Sequence, residues 1–401
     1  MALACVLVAI SPSVVITPEA YGAKGDGIAD DSGPIRQALA ACAGDAPCSV
    51  LFAQSYLSGP IRINSSRVTL NVTGSLAMLP RASFPLTAAH GFITNDNLVA
   101  TSELRITGGG RIASTEPDAW WACKILGCSR PHLINLGNVS GVRIDDIALA
   151  DSPNHHIEVS GCRHVRIDGI TIDAPHLSPN TDGVTFYGGD DQSLTNSRIS
   201  NGDDCTSVVP VGEWLPECVE SPELPQCRGG SVVIRNVTCI GGHGLSIGGM
   251  RHGTVSNVTF SNVTATGARG DTQGKYSTGG MRIKAYPNST GSVRNIIYED
   301  IVVDGVYLPL QLLGHYCPFP CKTADGNTSV LFEDITFRRI SGAGRRAEQI
   351  VFDCSPLAPC TNITVDDVRL KANGTAACHH ANVSFRRSSP SQCEPSEPHS
   401  V

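Results

Sequence analysis

A phrase recurs along the last two thirds of the chain. It reads VRIDDIALADSP from Val142, VRIDGITIDAP from Val165, VVIRNVTCIGG from Val232, VSNVTFSNVTATG from Val255, VRNIIYEDIVVDG from Val293, VLFEDITFRRISG from Val330 and ITVDDVRLKANG from Ile363. Each copy alternates apolar and polar positions, as a strand with one buried face must. Each is punctuated by Gly, Asn or Asp, which permit a sharp turn. Val142 to Val165 and Val232 to Val255 are each 23 residues apart, and the other intervals are longer, with Gly- and Pro-rich insertions. A period of this size with no helix between copies predicts a parallel β-helix, each repeat forming one coil stacked on the last. One helix is predicted: DDSGPIRQALAAC has Asp and Ser at its start, Pro34 near the first turn, and Ile35, Ala38, Leu39 and Cys42 on one face. Its expected place is over the open N-terminal end of the β-helix, which otherwise exposes unpaired strand edges. No linker divides the repeats, so a single all-β domain is expected over residues 21–393, with a disordered tail at 394–401.

Composition adds a compartment. The 401 residues are 41% apolar, ample for a core, while only 5% aromatic with 41 Gly, which favours short strands and tight turns. Sixteen cysteines are far above cytosolic habit, and twelve stand close together as Cys42/Cys48, Cys123/Cys128, Cys218/Cys227, Cys317/Cys321, Cys354/Cys360 and Cys378/Cys393. That density points to an oxidised, secreted protein. Residues 1–20 carry an apolar run from Ala2 to Ile10 with no Lys or Arg before it, a weak or truncated signal peptide. Its removal would take Cys5 and leave an odd number of cysteines. Eleven Asn-X-Ser/Thr sequons predict some glycosylation, although Asn-Val-Thr also arises by chance in strands rich in Val and Thr. No stretch reaches the length of a membrane span, so no membrane partner is expected. The net charge of -7 argues against nucleic acid, and a polyanionic ligand would need a local basic site.

The candidate chemistry starts at RISNGDDCTSV, residues 198–208. Neighbouring side chains on a strand face opposite ways, so one of Asp203 and Asp204 should be buried, where an unpaired charge is costly. Stacking in a β-helix brings residues one coil apart to within roughly 4.8 Å. Asp182, in SPNTDGV, lies 21 residues before Asp203, so three carboxylates are expected to meet on one face. Later coils carry His243, in CIGGHGLSIGG, and Arg282 with Lys284, in GGMRIKAY; the last two are two apart and share a strand face.

These motifs resemble the polygalacturonases, glycoside hydrolases that cleave pectin. NTDG at 180–183, GDDC at 202–205, GHG at 242–244 and RIK at 282–284 match in order, together with AYGAKGDGIADD near the start, PDAWW at 117–121 and GHYCP at 314–318, and the likeness is to plant-type members. The resemblance implies a right-handed parallel β-helix and an inverting hydrolase of α-1,4-galacturonosyl linkages, monomeric, with no cofactor and no metal. It implies that Asp203 is the general acid and stays protonated, that Asp182 and Asp204 hold and deprotonate the attacking water, and that His243 hydrogen-bonds near the acid. Arg282 and Lys284 would bind a galacturonate carboxylate, Tyr316 would line the cleft, and Asn180 would shape the turn presenting Asp182. The family also joins the cysteines at positions 205 and 239, which leaves Cys162 as a buried, unreactive thiol. Rival readings are a hydrolase of xylogalacturonan or rhamnogalacturonan, the latter disfavoured by the intact GHG; a calcium-dependent pectate lyase; and an inactive wall-binding homologue. The segment Pro210–Gly230 is longer than the family norm. Leaving its strand just after Asp204, it is expected to wall the cleft and restrict attack to chain ends.

Overall fold

The computed structural model describes residues 14–44, 46–86, 90–95, 101–212, 215–268, 279–318 and 326–394. The chain winds as a right-handed parallel β-helix, each strand pairing in parallel with its counterparts in the coils before and after. Alternation decides which side chains enter. Ile144, Ile167, Leu194, Ile234, Phe260, Tyr298, Phe337 and Val365 pair rung to rung in one inward column. The rings of Phe260 and Tyr298 stack at 4.5 Å, and those of Tyr298 and Phe337 at 5.2 Å. All eight residues are buried, each stabilising the fold by about 1.5–3 kcal/mol.

The 23-residue spacing of Val142 and Val165 is the true register of those coils. That of Val232 and Val255 is not: Val232 pairs with Val258. The phrase from Val255 holds Asn-Val-Thr twice, and the second copy, at Asn262, stacks on Asn236 with Asn262 Nδ2 donating to Asn236 Oδ1 at 3.3 Å. The first copy, at Asn257, accepts instead from Asn295 at 2.6 Å. Corner geometry explains the recurrence. Asn196, Asn236, Asn262 and Asp300 occupy the same corner of successive coils with φ between 52° and 58°, a left-handed conformation that Asn and Asp tolerate better than most side chains. An Asn at the corner, then an inward Val and an outward Thr, reads as a sequon because the fold requires that order.

The helix spans Ser32–Ala41 and buries Ile35 and Ala38 in the first part of the core. Asp31 does not cap it through its side chain; its carboxylate accepts from the backbone N–H groups of Lys24 and Gly25 at 2.7 and 3.1 Å. The folded body begins earlier than residue 21, since Val14–Ile16 pairs with Cys48–Val50. Five of the close cysteine pairs form disulfides, as do Cys205 and Cys239. Cys317 is also disulfide-bonded, and Cys321 lies outside the described residues. Cys162 is free and fully buried among the described residues, its thiol pushed up to about 11 by burial. No helix among the described residues is long and apolar enough to cross a membrane.

One face carries the candidate chemistry. The strands Ile157–Ser160, Val184–Tyr187, Asp204–Val209, Gly244–Thr266 and Gly279–Val306 lie side by side there. Their outward column runs Glu158, Thr185, Ser207, Ser246, Arg282, a polar strip over an apolar floor.

Candidate active site

Asp182, Asp203, Asp204 and His243 stand where their strands begin. Gly183 N–H donates to Asp204 C=O at 2.9 Å, and His243 N–H to Asp203 C=O at 2.8 Å, so the three coils are tied together at the site itself. Asp203 and Asp204 point different ways as neighbours on an extended segment do, and the register shifts just after them, between Asp204 and Thr206. Asp204 is buried on the outer face beside Ser246 and Lys284, 3% exposed, and Asp203 stays half-buried. Gly242 is required beside them: at φ 55° its added Cβ would stand 2.0 Å from Asp203 C=O. Cys205–Cys239 ties the Asp204 strand to the segment that leads into His243.

Each carboxylate has its own partners. Asp204 Oδ2 accepts from Lys284 Nζ at 2.7 Å and Oδ1 from Ser246 Oγ at 2.6 Å. Asp203 Oδ1 accepts from His243 Nδ1 and from Asp204 N–H, both at 2.8 Å, while Oδ2 meets only Asn180 Nδ2 at 3.4 Å. Asn180 sits at φ 55°, and Arg130 fixes it, donating to its Oδ1 at 2.7 Å. Asp182 Oδ1 lies 3.6 Å from His155 Nε2. Lys284 and Arg282 are 4% and 6% exposed, so neither is a solvated edge charge. Tyr316 faces both: its ring centroid is 5.4 Å from Lys284 Nζ and 5.8 Å from Arg282 Cζ.

The site therefore gathers all eight residues expected from sequence, with one change of emphasis: Lys284 is committed to Asp204. Sequence reasoning missed Arg130, His155, Glu158 and Ser246. Ser246 stands two residues past the glycine of GHG, and His155 occupies the rung position of Asp182 one coil earlier, a relation visible once coil lengths are known. Arg130 left no sequence signal.

Electrostatics redistributes the expected proton. Burial, reinforced by the charges of Asp203 and Asp204, raises Asp182 to about 8 against the opposing pull of His155 and Lys284. Burial pushes Asp203 up too, but His243, Lys284 and the Asp204 N–H outweigh it and hold Asp203 below the usual carboxylate range. Asp182 is thus the carboxyl pushed up and Asp203 the one pushed down, because Asp203 has the closer His243 ring and the fuller set of donors. Burial lowers Lys284, yet Asp204 more than compensates and raises it. Donor atoms of Asp203, Asp204 and His243 lie within 4.8 Å of one another, as do those of His132, His155 and Glu158; both groups are turned on themselves as ion pairs, and neither is assigned to a metal.

A stability consequence follows for Asp182. A carboxyl raised from 3.8 to about 8 contributes stability that is fully present below pH 3.8 and is lost as pH climbs through 8. Asp182→Asn should therefore gain in Tm over the parent as pH rises from 4 to 8, with no gain at pH 4. A Tm difference independent of pH would refute the raised value.

The long segment after Val209 is placed differently from the sequence expectation. It leaves at the far end of the six-residue strand Asp204–Val209, about 17 Å from Asp204. It forms the short helix Pro216–Glu220, is closed by Cys218–Cys227, and is anchored on following coils. Thr254 Oγ1 and Arg294 donate to Glu223, at 2.9 and 3.1 Å, and Thr290 Oγ1 donates to Val219 C=O at 3.0 Å. It flanks the sheet edge rather than rising beside Asp204.

Comparison with known proteins decides the family. Residues 45–392 match the model of the glycosyl hydrolases family 28. The chain belongs to that family. It is 32% identical over 390 residues to an exopolygalacturonase of Zea mays, covering 91% of this chain and 87% of the relative. It is 26% identical over 391 residues to a polygalacturonase of Malus domestica, covering 94% and 78%. Among solved structures, a hyperthermoactive exopolygalacturonase of Thermotoga maritima superposes with a TM-score of 0.71 at 17% identity, over 93% of this chain and 92% of that one. The right-handed β-helix and the glycosidase assignment rest on these findings together.

Proposed function

We propose that this family 28 glycosidase hydrolyses the α-1,4-galacturonosyl linkages of polygalacturonate, with inversion, outside the cell, as a monomer, and from chain ends. The observation that carries the substrate class is Arg282. Its Nε and Nη1 are buried without a hydrogen-bond partner among the described residues, on the same face as the carboxylates. An unpaired buried guanidinium is costly unless a ligand completes it, and its planar fork matches a carboxylate. A uronate chain supplies that group at every sugar; a neutral glycan supplies none.

In this reading Asp203 protonates the glycosidic oxygen through Oδ2, the oxygen with the fewest partners, and its side chain, 20% exposed, is the most open of the three carboxyls. Asp204, held in place by Lys284, and Asp182 orient and deprotonate the water on the opposite face of the sugar. Bound substrate must move the trio's proton from Asp182 to Asp203. It does so by excluding water from the exposed carboxyl and by setting its own carboxylate against the cations that keep Asp203 ionised.

Action from chain ends is supported by the names of the maize relatives. Following viscosity and reducing ends together on polygalacturonate is the test. Reducing ends should accumulate with little early loss of viscosity. A steep drop with the parent enzyme would mean internal cutting, and absence of reducing ends would remove the hydrolase reading itself.

A further inference from the structure

We propose that His155 is a positioning residue for this hydrolysis: held between Glu158 and Asp182, its ring sets the charge and direction of the Asp182 carboxylate that handles the attacking water. The proposal rests on the reading of Asp182 as part of the base.

The geometry is a chain of alternating charges along the outer face. His155 Nε2 lies 3.6 Å from Asp182 Oδ1, and His155 Nδ1 lies 3.2 Å from Glu158 Oε2. The same Glu158 oxygen lies 3.4 Å from His132 Nε2, and Asn135 Nδ2 reaches Glu158 Oε1 at 3.5 Å. The alignment is built by register. His132, His155 and Asp182 each stand two residues before Ile134, Ile157 and Val184, which pair rung to rung. Three successive coils therefore present the same position to one another, and the His132 and His155 rings meet edge to face at 4.7 Å.

A ring between two carboxylates is held as imidazolium. Burial lowers His155, but Asp182, Glu158 and the more distant Asp203 overcome it and bring it up to about 9. His132, with only Glu158 to help it and with His155, His90 and Arg130 opposing, is lowered by burial to about 3 and is the neutral member. His156, next in sequence, faces the other way: fully buried, it places Nδ1 3.0 Å from Asp182 C=O. Thus His155 brings the nearest positive charge to Asp182, opposing the burial that would keep that carboxyl protonated. Lys284, which also lowers it, is paired with Asp204, and Arg130, which interacts with it as well, donates to Pro153 C=O, Pro179 C=O and Asn180 Oδ1. Glu158 faces the ring's other nitrogen as a counter-charge, its Oε2 3.2 Å from Nδ1.

The experiment uses His155→Phe, which preserves ring volume, and Glu158→Gln, in the full chain. Loss of a cation within ion-pair reach raises a carboxyl by about 1–3 units. Asp182 is the raised carboxyl of the trio, so its titration sets the alkaline limb of kcat/KM, which should accordingly move up by about one pH unit or more in His155→Phe, and in the same direction by less in Glu158→Gln. A purely structural role would lower activity at every pH and leave the limb in place, which overturns the proposal. The 13C-carboxyl titration of Asp182, assigned by its loss in Asp182→Asn, reads the same coupling without catalysis. An unmoved titration in His155→Phe rejects His155. A full-activity Asp182→Asn rejects instead the role of Asp182 in the base, and the titration still decides whether His155 governs that carboxyl.

Discussion

Asp203→Asn is expected to lower kcat on polygalacturonate by about 10³-fold or more, the scale of a general acid's contribution, while circular dichroism and the unfolding temperature stay close to those of the parent. The amide keeps the shape of the carboxyl, and its Oδ1 can still accept from Asp204 N–H and His243 Nδ1. What it lacks is a transferable proton. In the proposed mechanism Asp203, Asp204 and Asp182 act on one proton and one water, so combining Asp203→Asn with Asp204→Asn should add little further loss. Activity near the parent's with an unchanged fold would overturn the assignment of Asp203 as acid.

Lys284→Met should damage the enzyme differently from Arg282→Ala, although both were expected from sequence to serve substrate. Lys284 is buried 2.7 Å from a buried Asp204. Removing one partner of such a pair leaves an uncompensated charge and costs about 3–5 kcal/mol. The fold should unfold several degrees earlier, and kcat should fall because Asp204 is then protonated or displaced. Arg282 has no such internal obligation, since its Nε and Nη1 are unpartnered. Arg282→Ala should leave Tm near the parent value, lower kcat/KM on the charged polymer, and matter less on esterified pectin. Thermal unfolding with kinetics on the two polymers separates the cases: an unchanged Tm in Lys284→Met would remove its structural tie to Asp204, and equal losses of Arg282→Ala on both polymers would argue against carboxylate binding.

The sequence by itself determined the class of fold, the sidedness of each strand and the identity of the acid cluster. Those features are local: alternation at Val142–Asp145 places Val142 inside whatever lies in the next coil, and the motifs at 180–183, 202–205, 242–244 and 282–284 each present their residues within a few positions. Only the tertiary structure decided who meets whom across coils. Val232 pairs with Val258 rather than Val255 because coil length depends on the turns, and two identical phrases offered two registers. Lys284 reaches Asp204 from 80 residues away, His155 meets Asp182 from the preceding coil, and the segment after Val209 departs from the strand end remote from the acids. The upward shift of the Asp182 carboxyl belongs to the same category. Alternation is fixed by the backbone of a single strand, whereas coil-to-coil contacts, burial and the field at each carboxyl are sums over turns whose lengths and directions differ from one coil to the next.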